Sequence, residues 1–394
     1  MRILYIHSTP VPPPLDSGTD RFAWLSESME GDVLHPIWSR TPDAVERKFG
    51  AGSYPAFTKG RFRYRWRLGG RRGRSGLWWF YLSAGLRIYR ERRYDCIVTY
   101  SHMTNGLCGV ILKLLTGARL VIEIVTAPER IYLTYRPRPT IGERLMAMYS
   151  DFCLHVCIRL CDRVHLLAPG LLAPYKRLRT APASVFHEFV PVSAIEPRPE
   201  AGEQYVLLVG APWYLKGVDL LIEAFRRLSP DFPEIKLKLM GDYPDRERLE
   251  TLTGGLPQIE ILEARPNVEA LKVICGATVF ALPSRCEGMP RVILEAMAAG
   301  VPVIGSDVGG MSYLIRDGEN GFVVPPEDPV ALERRLRELL SDAELRKRMG
   351  ARGYAMAHTQ FNERAYVEQF TRMVEAAIPP TGSRPAVAPP FQDQ

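Results

Sequence analysis

The 394-residue sequence has no run approaching the ~20 apolar residues that a membrane-crossing helix needs. The longest candidate, Leu77 to Tyr89, is shorter and has Arg87 near its end. An export signal is also lacking. Ile3-Leu4-Tyr5-Ile6 is followed too soon by Pro10 and by Pro12-Pro13-Pro14. There is no CxxC pair, and the seven cysteines are an odd number scattered along the chain. This pattern excludes a secreted disulfide scaffold and reads as reduced thiols in the cytosol. Cys153, Cys157 and Cys161 are spaced four apart and would line one helix face. That spacing is a poor metal signature, and small buried hydrophobes fit it better. No internal repeat is visible.

What is present points to a folded α/β protein. Hydrophobic residues make up 46% and charged residues 24%, a globular profile. The length exceeds one compact core and suits two domains. Short apolar runs alternate with helical stretches, as in parallel sheets flanked by helices. In the first half Ile3–His7, Asp95–Thr99, Leu120–Val125 and Arg163–Leu167 are expected strands, with a helix over Gly106–Leu115. The pattern restarts with strands at Tyr205–Val209, Lys236–Met240, Ile259–Ile261, Val279–Leu282 and Val301–Gly305, and helices at Val218–Leu228 and Pro290–Ala299. Val192 to Gln204 is the best linker. The expected domains are thus 1–192 and 205–360. A last helix over 361–378 is expected to pack back on the first domain, and the Pro- and Ala-rich tail 381–394 is expected to be disordered. Two doubly wound domains facing each other imply a cleft at the carboxyl ends of their strands, after Ile6, Val209, Met240 and Leu282.

The net charge of +7 is unevenly spread. Residues 1–192 hold 28 basic against 15 acidic side chains, and the remainder 23 against 29. The excess concentrates between Lys59 and Arg93, where arginines interleave with Phe62, Tyr64, Trp66, Trp78, Trp79, Phe80 and Tyr81. Nucleic acid is an unlikely partner, since no recognition module accompanies the patch. A solvated face over a packed helix is one reading. An anionic membrane surface fits better, because Trp and Tyr favour the interface and Arg the lipid charge.

The richest motif runs from Pro283 to Gly300. It follows a strand, and Pro290 suits the first turn of a helix. Glu287 and Gly288 fall in the loop before that turn, whose free N–H groups attract anionic or polyhydroxyl ligands. Glu295 lies one to two turns further on. Taken alone, the two carboxylates are better read as a helix-start acid and a solvent-facing Glu, and it is the embedding sequence that overrides this.

The embedding sequence resembles the group 1, or family 4, glycosyltransferases of the GT-B fold. The resemblance rests on Glu287 and Glu295 with seven residues between them, on Pro283-Ser284, and on Leu294-Glu295-Ala296-Met297-Ala298-Ala299-Gly300-Val301-Pro302-Val303-Ile304. Gly309-Gly310, Asp317-Gly318-Glu319-Asn320-Gly321-Phe322-Val323-Val324-Pro325, Val209-Gly210 through Lys216-Gly217-Val218-Asp219, and Met240-Gly241-Asp242 extend it. In the first half it thins to an overall pattern. The resemblance implies two Rossmann-like domains across a cleft and a retaining transfer from a nucleotide-diphosphate sugar to a glycan or lipid-linked acceptor. It places the enzyme in cell-surface polysaccharide biosynthesis, cytoplasmic and peripheral to the membrane. No cofactor or metal is implied, and no acidic DxD-type pair stands out. By the same resemblance Lys216 holds the diphosphate, Glu295 the ribose hydroxyls, and Glu287 the transferred sugar. Gly288 and Met289 offer backbone N–H groups, Ser284 assists, and Gly210 lies beside them. Ser17-Gly18-Thr19 resembles a loop closing on phosphate from the first domain, and is equally a plain turn.

Three departures bear on catalysis. Ala211 stands where the family usually has Arg, and Arg285 or Arg291 is a candidate replacement. The strand Val121-Ile122-Glu123-Ile124-Val125 lacks the family's His, for which His102 is the nearby candidate. Tyr313 replaces an acid after Gly309-Gly310. These leave a catalytically impaired GT-B module that binds a sugar nucleotide as the alternative, and a sugar-nucleotide epimerase as a weaker one.

Overall fold

The computed structural model describes residues 1–7, 21–37, 57–68, 73–125, 131–133, 137–168, 171–172, 181–199, 202–243 and 245–378. The Gly18 loop and the 381–394 tail lie outside these residues.

The first domain is built on one sheet. Its strands are β1 (Arg2–Ile6), β2 (Glu30–Ile37), β3 (Phe57–Lys59), β4 (Phe62–Leu68), β5 (Cys96–Tyr100), β6 (Arg119–Ile124), β7 (Arg163–Leu166) and β8 (Ala183–Val185), in the order β3-β4-β2-β1-β5-β6-β7-β8. All pairs are parallel except β3 with β4. Helices cover both faces, so the central strands are continuous apolar runs. α1 (Arg21–Leu25) lies on one face. On the other lie α2 (Gly73–Glu91), α3 (Thr104–Thr116) and α4 (Ile141–Leu160). α4 starts on a capping box, in which Thr140 Oγ1 accepts from the Glu143 N–H and Glu143 accepts from the Thr140 N–H.

The second domain repeats the architecture with an all-parallel sheet. It contains β9 (Tyr205–Val209), β10 (Lys236–Met240), β11 (Ile259–Leu262), β12 (Val279–Leu282), β13 (Val303–Ser306) and β14 (Gly321–Val324), ordered β11-β10-β9-β12-β13-β14. Its helices are α5 (Val218–Leu228), α6 (Arg246–Thr253), α7 (Asn267–Cys275), α8 (Arg291–Ala298), α9 (Met311–Leu314), α10 (Pro329–Ser341) and α11 (Ala343–Gln360). Then α12 (Glu363–Ala377) crosses to the first sheet. Tyr366, Phe370, Met373 and Val374 are buried there against Ile3, Tyr5, Val98 and Val121.

The basic-aromatic segment needs a correction. Part of it is interior sheet, because its alternation has the period of a strand. Along β4, Phe62 and Tyr64 are buried in the core. Arg63 points the other way, with Nη2 3.0 Å from the buried Asp32 carboxylate, which Arg2 also reaches at 2.7 Å. Tyr81 of α2 is buried too, whereas Trp79 is exposed. Cys153 and Cys157 on α4 and Cys161 just after it are all buried, and no cysteine of the chain forms a disulfide.

Candidate functional site

In both sheets the strand order reverses next to the first strand of the domain, between β1 and β5 and between β9 and β12. Doubly wound folds open their ligand crevice at such points. In the second domain the crevice gathers most of the expected residues. The loop after β9 carries Gly210 and Lys216, and the loop after β12 carries Ser284, Glu287, Gly288 and Met289. Lys216 Nζ lies 2.6 Å from Glu287 Oε1, and Ser284 Oγ donates to the same oxygen at 2.7 Å. Glu287 is 7% exposed and Ser284 fully buried. Gly210 makes room for this pair. A Cβ there would stand 3.1 to 3.3 Å from the Lys216 stem. Gly217 has φ +68°, and a Cβ on it would strike the Pro283 carbonyl at 2.0 Å, so the two loops meet only because residue 217 has no side chain.

Pro290 precedes α8, which begins at Arg291, one residue later than the sequence suggested. Glu295 is 6% exposed. Burial pushes its carboxyl above the usual carboxylate range, against the charge of Arg291 and a hydrogen bond from Asn267. Such a carboxyl is poised to accept hydroxyl hydrogens from a ligand. Arg291 Nε is buried and has no hydrogen-bond partner among the described residues. Arg285 is ruled out as the replacement for the arginine missing at Ala211. It forks onto both oxygens of Asp219 at 2.8 Å and onto Glu327 at 2.6 Å, and is spent on tying the loop to α5.

Gly309-Gly310 form the facing wall. The Gly310 N–H donates to the Gly288 carbonyl at 2.7 Å. Gly309 has φ +59°, and a Cβ on it would lie 2.0 Å from the Glu287 carbonyl oxygen. Gly309→Ala is therefore expected to displace the Glu287 loop. Nucleotide affinity, measured by calorimetry, should fall at least about tenfold through strain of the order of 1–3 kcal/mol. Wild-type affinity would show that the loop tolerates the shift.

The first domain contributes the opposite wall. The His7 ring stacks on Tyr100 at 4.9 Å and on His35 at 4.7 Å, at the carboxyl ends of β1, β5 and β2. Tyr100 is close enough to feel Arg21 and, from the second domain, Arg291. A Cβ on Gly310 would stand 3.1 Å from Ala168, and the His187 ring is 5.4 Å from Tyr313. The structure does not bring His102 into the Lys216–Glu287 group. Its Nε2 bonds Ser150 Oγ of α4 at 2.8 Å, and its carbonyl accepts from Cys157. Burial lowers its pKa to about 4. The folded protein thus resists a proton that the unfolded chain binds below about pH 6.5. Stability should fall as pH drops from 6.5 toward 4, by up to about 3 kcal/mol. Denaturant titrations of His102→Gln across this window should show a flatter pH dependence than wild type, and an unchanged slope would refute the assignment.

Sequence reasoning missed a buried charge network in the first domain. Arg21 donates to Glu188 at 2.8 Å, to the Tyr366 hydroxyl at 2.8 Å and to the Tyr5 hydroxyl at 3.1 Å. Tyr5 bonds Glu123, which also pairs with His165 Nδ1 at 2.9 Å. Its members come from six separated stretches, and the one local hint was an acid inside the apolar β6. After Met240, where the sequence led us to expect part of the cleft, lies a cavity of about 370 Å3 lined by Gly241, Asp242, Tyr243, Arg246, Ile261, Glu263 and Ala264. Its size is that of a small-molecule site. The Tyr243 hydroxyl is buried without a described hydrogen-bond partner.

Residues 194–356 match the family model of the glycosyl transferases group 1. The alpha-D-kanosaminyltransferase of Streptomyces kanamyceticus is 30% identical over 257 residues, covering 61% of this chain and 66% of that protein. The chain spans less than two thirds of the length of the curated relatives it matches. Among solved structures, sucrose-phosphate synthase from Thermosynechococcus elongatus superposes with a TM-score of 0.77 at 20% identity, over 95% of this chain and 98% of that one. The Anabaena protein HepE in complex with UDP-glucose gives 0.70 at 16% identity, over 95% and 100%. The chain has the GT-B fold, and its residues 194–356 form a domain of the glycosyl transferases group 1.

Proposed function

We propose that this protein is a retaining glycosyltransferase that moves a sugar from a nucleotide-diphosphate sugar to a glycan or lipid-linked acceptor in cell-surface polysaccharide biosynthesis. The observation that carries this reading is the Lys216–Glu287–Ser284 group at the switch point of the second sheet, beside the start of α8. A donor diphosphate competes with Glu287 for Lys216. The carboxylate so released is free to accept from hydroxyls of the sugar. Glu295 accepts from the ribose, and the cavity around Tyr243 takes the nucleobase end. HepE has been crystallised with UDP-glucose, which supports a uridine donor as the first to try.

In the reaction the bond between the anomeric carbon and the diphosphate oxygen breaks, and the diphosphate keeps the electron pair. A new bond forms to the acceptor oxygen, whose proton leaves for the departing oxygen. Lys216, the N–H groups of Gly288 and Met289, and Arg291 neutralise the growing charge. These cations fill the role a divalent ion would otherwise take, so we assign no metal. Arg291, with its unpaired Nε, fits the vacancy left by Ala211 better than Arg285 does.

The second reading, a sugar-nucleotide-binding module without turnover, is favoured by the distance of His102 from this group in the hydrogen-bond network and by Ala211, Val125 and Tyr313. Hydrolysis of UDP- and GDP-sugars by the purified protein separates the two. Release of free nucleotide with any donor supports the transferase, and tight nucleotide binding with no release supports the module.

No described helix is long and apolar enough to cross a membrane. We propose a cytoplasmic enzyme peripheral to an anionic membrane. Within residues 59–93, Arg87, Arg90, Arg92 and Arg93 are exposed, whereas Arg63 and Arg65 are engaged with Asp32.

A further inference from the structure

Helix α4 carries an apolar stripe that no described element covers. Ile141, Leu145, Met148 and Phe152 are 80%, 60%, 69% and 61% exposed. Their spacing of four, three and four puts them on one helix face, along about 16 Å of its length. The opposite face is fully occupied, since Ser150, Cys153, Leu154, Cys157 and Ile158 are buried in the domain core. The helix therefore has two apolar faces, and only one of them is used by the fold. Single exposed leucines are ordinary, but four large apolar side chains in line mark a surface built to meet something.

The charges around the stripe say what. Arg144 flanks it and Arg159 continues it at its carboxyl end, and both are exposed. Arg138, just before the helix, is exposed as well. The helix also carries two acids, Glu143, held in the capping box with Thr140, and Asp151, 3.4 Å from His155. Beyond the stripe, at the carboxyl end of the helix, Lys113 of α3 donates to the Leu160 carbonyl. An apolar line bordered by cations fits the boundary between acyl chains and anionic headgroups. A second copy of the chain fits less well. The stripe offers a few hundred Å2, in the range of interaction patches. A stable protein interface takes roughly 600 Å2 or more per partner.

We propose that the protein lies on an anionic lipid bilayer through this face of α4, with Ile141, Leu145, Met148 and Phe152 in the interfacial layer. This moves the docking surface away from the basic-aromatic segment, part of which is interior. Ser150, on the inner face of the same helix, holds His102 in the loop after β5. A docked α4 thus fixes the first-domain wall relative to the membrane. The inference bears on the proposed lipid-linked acceptor, but its own support is the stripe and its border of arginines.

Co-sedimentation with vesicles of phosphatidylcholine, with and without phosphatidylglycerol, tests it on the full chain. The wild type is expected to pellet with the anionic vesicles. Leu145→Ser with Met148→Ser is expected to weaken that binding at least about tenfold, while circular dichroism and nucleotide affinity stay unchanged. Phe152→Trp should report insertion by a blue shift of its fluorescence on anionic vesicles and by quenching with brominated lipid. Undiminished vesicle binding by the double variant, with no spectral shift at position 152, would overturn the proposal. So would a lipid-free dimer that the same substitutions dissolve, because that assigns the stripe to a second copy. Donor hydrolysis in lipid-free solution tests the transferase reading alone, so the two ideas fail separately.

Discussion

Lys216→Ala is expected to lower kcat for sugar transfer by about 10²–10³-fold, the usual cost of removing one charge-stabilising donor from a site where negative charge develops. The change should appear in kcat and kcat/KM together, because the diphosphate charge grows as the sugar leaves. A rise in KM alone would make Lys216 a ground-state anchor only. Unchanged kinetics would remove it from the site. Lys216 also pairs with Glu287, whose side chain is 8% exposed. The substitution therefore leaves that carboxylate with Ser284 as its remaining described partner. Lys216→Met with Glu287→Gln separates the two effects. If the loss came from a stranded carboxylate, the double variant would recover nucleotide affinity, a readout that does not pass through the sugar contact of Glu287. The reading proposed here predicts that it does not. Thermal denaturation of each variant shows whether the domain stays folded.

The second large effect concerns stability. Arg21→Met removes the cation from a buried network and leaves Glu123 and Glu188 facing each other with too little compensation. Burial by itself would raise the Glu123 pKa, yet the Arg21 charge and the His165 hydrogen bond hold it below the usual carboxylate range. Taking one partner from a buried charge group typically costs about 3–5 kcal/mol. Chemical denaturation followed by a first-domain probe should show a loss of that order. A loss below about 1 kcal/mol would mean that solvent enters and rehydrates the group. Arg21→Met combined with Glu123→Gln should cost less than the sum of the single changes, since the pair is coupled.

Much of the second domain is legible in the sequence. Tyr205–Val209, Lys236–Met240 and Val279–Leu282 are expected and found with the same bounds, as is the helix Val218–Leu228. The central strands Tyr205–Val209 and Val279–Leu282 announce themselves, because both faces are buried and every position is apolar, whereas β10 shows itself by alternating lysine with leucine. The Lys216–Glu287–Ser284 group was legible for a different reason. Lys216 and Glu287 are 71 residues apart, but each sits in a short loop whose sequence resembles a known pattern. The first domain hides its logic in long-range pairs. β4 was misjudged because the partner of its arginines, Asp32, lies 31 residues from Arg63, on another strand. His102 was proposed for the cleft on its position after a strand. Its actual partner, Ser150, comes from a helix that no local pattern links to it. The exposed stripe of α4 is likewise invisible in composition. An apolar face looks the same in a sequence whether the core or the solvent receives it.

Helix α12 has a consequence for how the chain is made. Arg21 and Tyr366 touch across 345 positions, and Phe370 and Met373 complete a core begun by Ile3 and Tyr5. During synthesis the amino-terminal sheet therefore emerges with one face open and stays so until nearly the whole sequence has been translated. At about 5–20 residues per second, that is tens of seconds of exposed aromatic surface. A fragment ending at the linker never gains its cover at all. Such a fragment is expected to be sticky and chaperone-bound, whereas the carboxyl-terminal domain, closed by its own helices α10 and α11, should fold unaided.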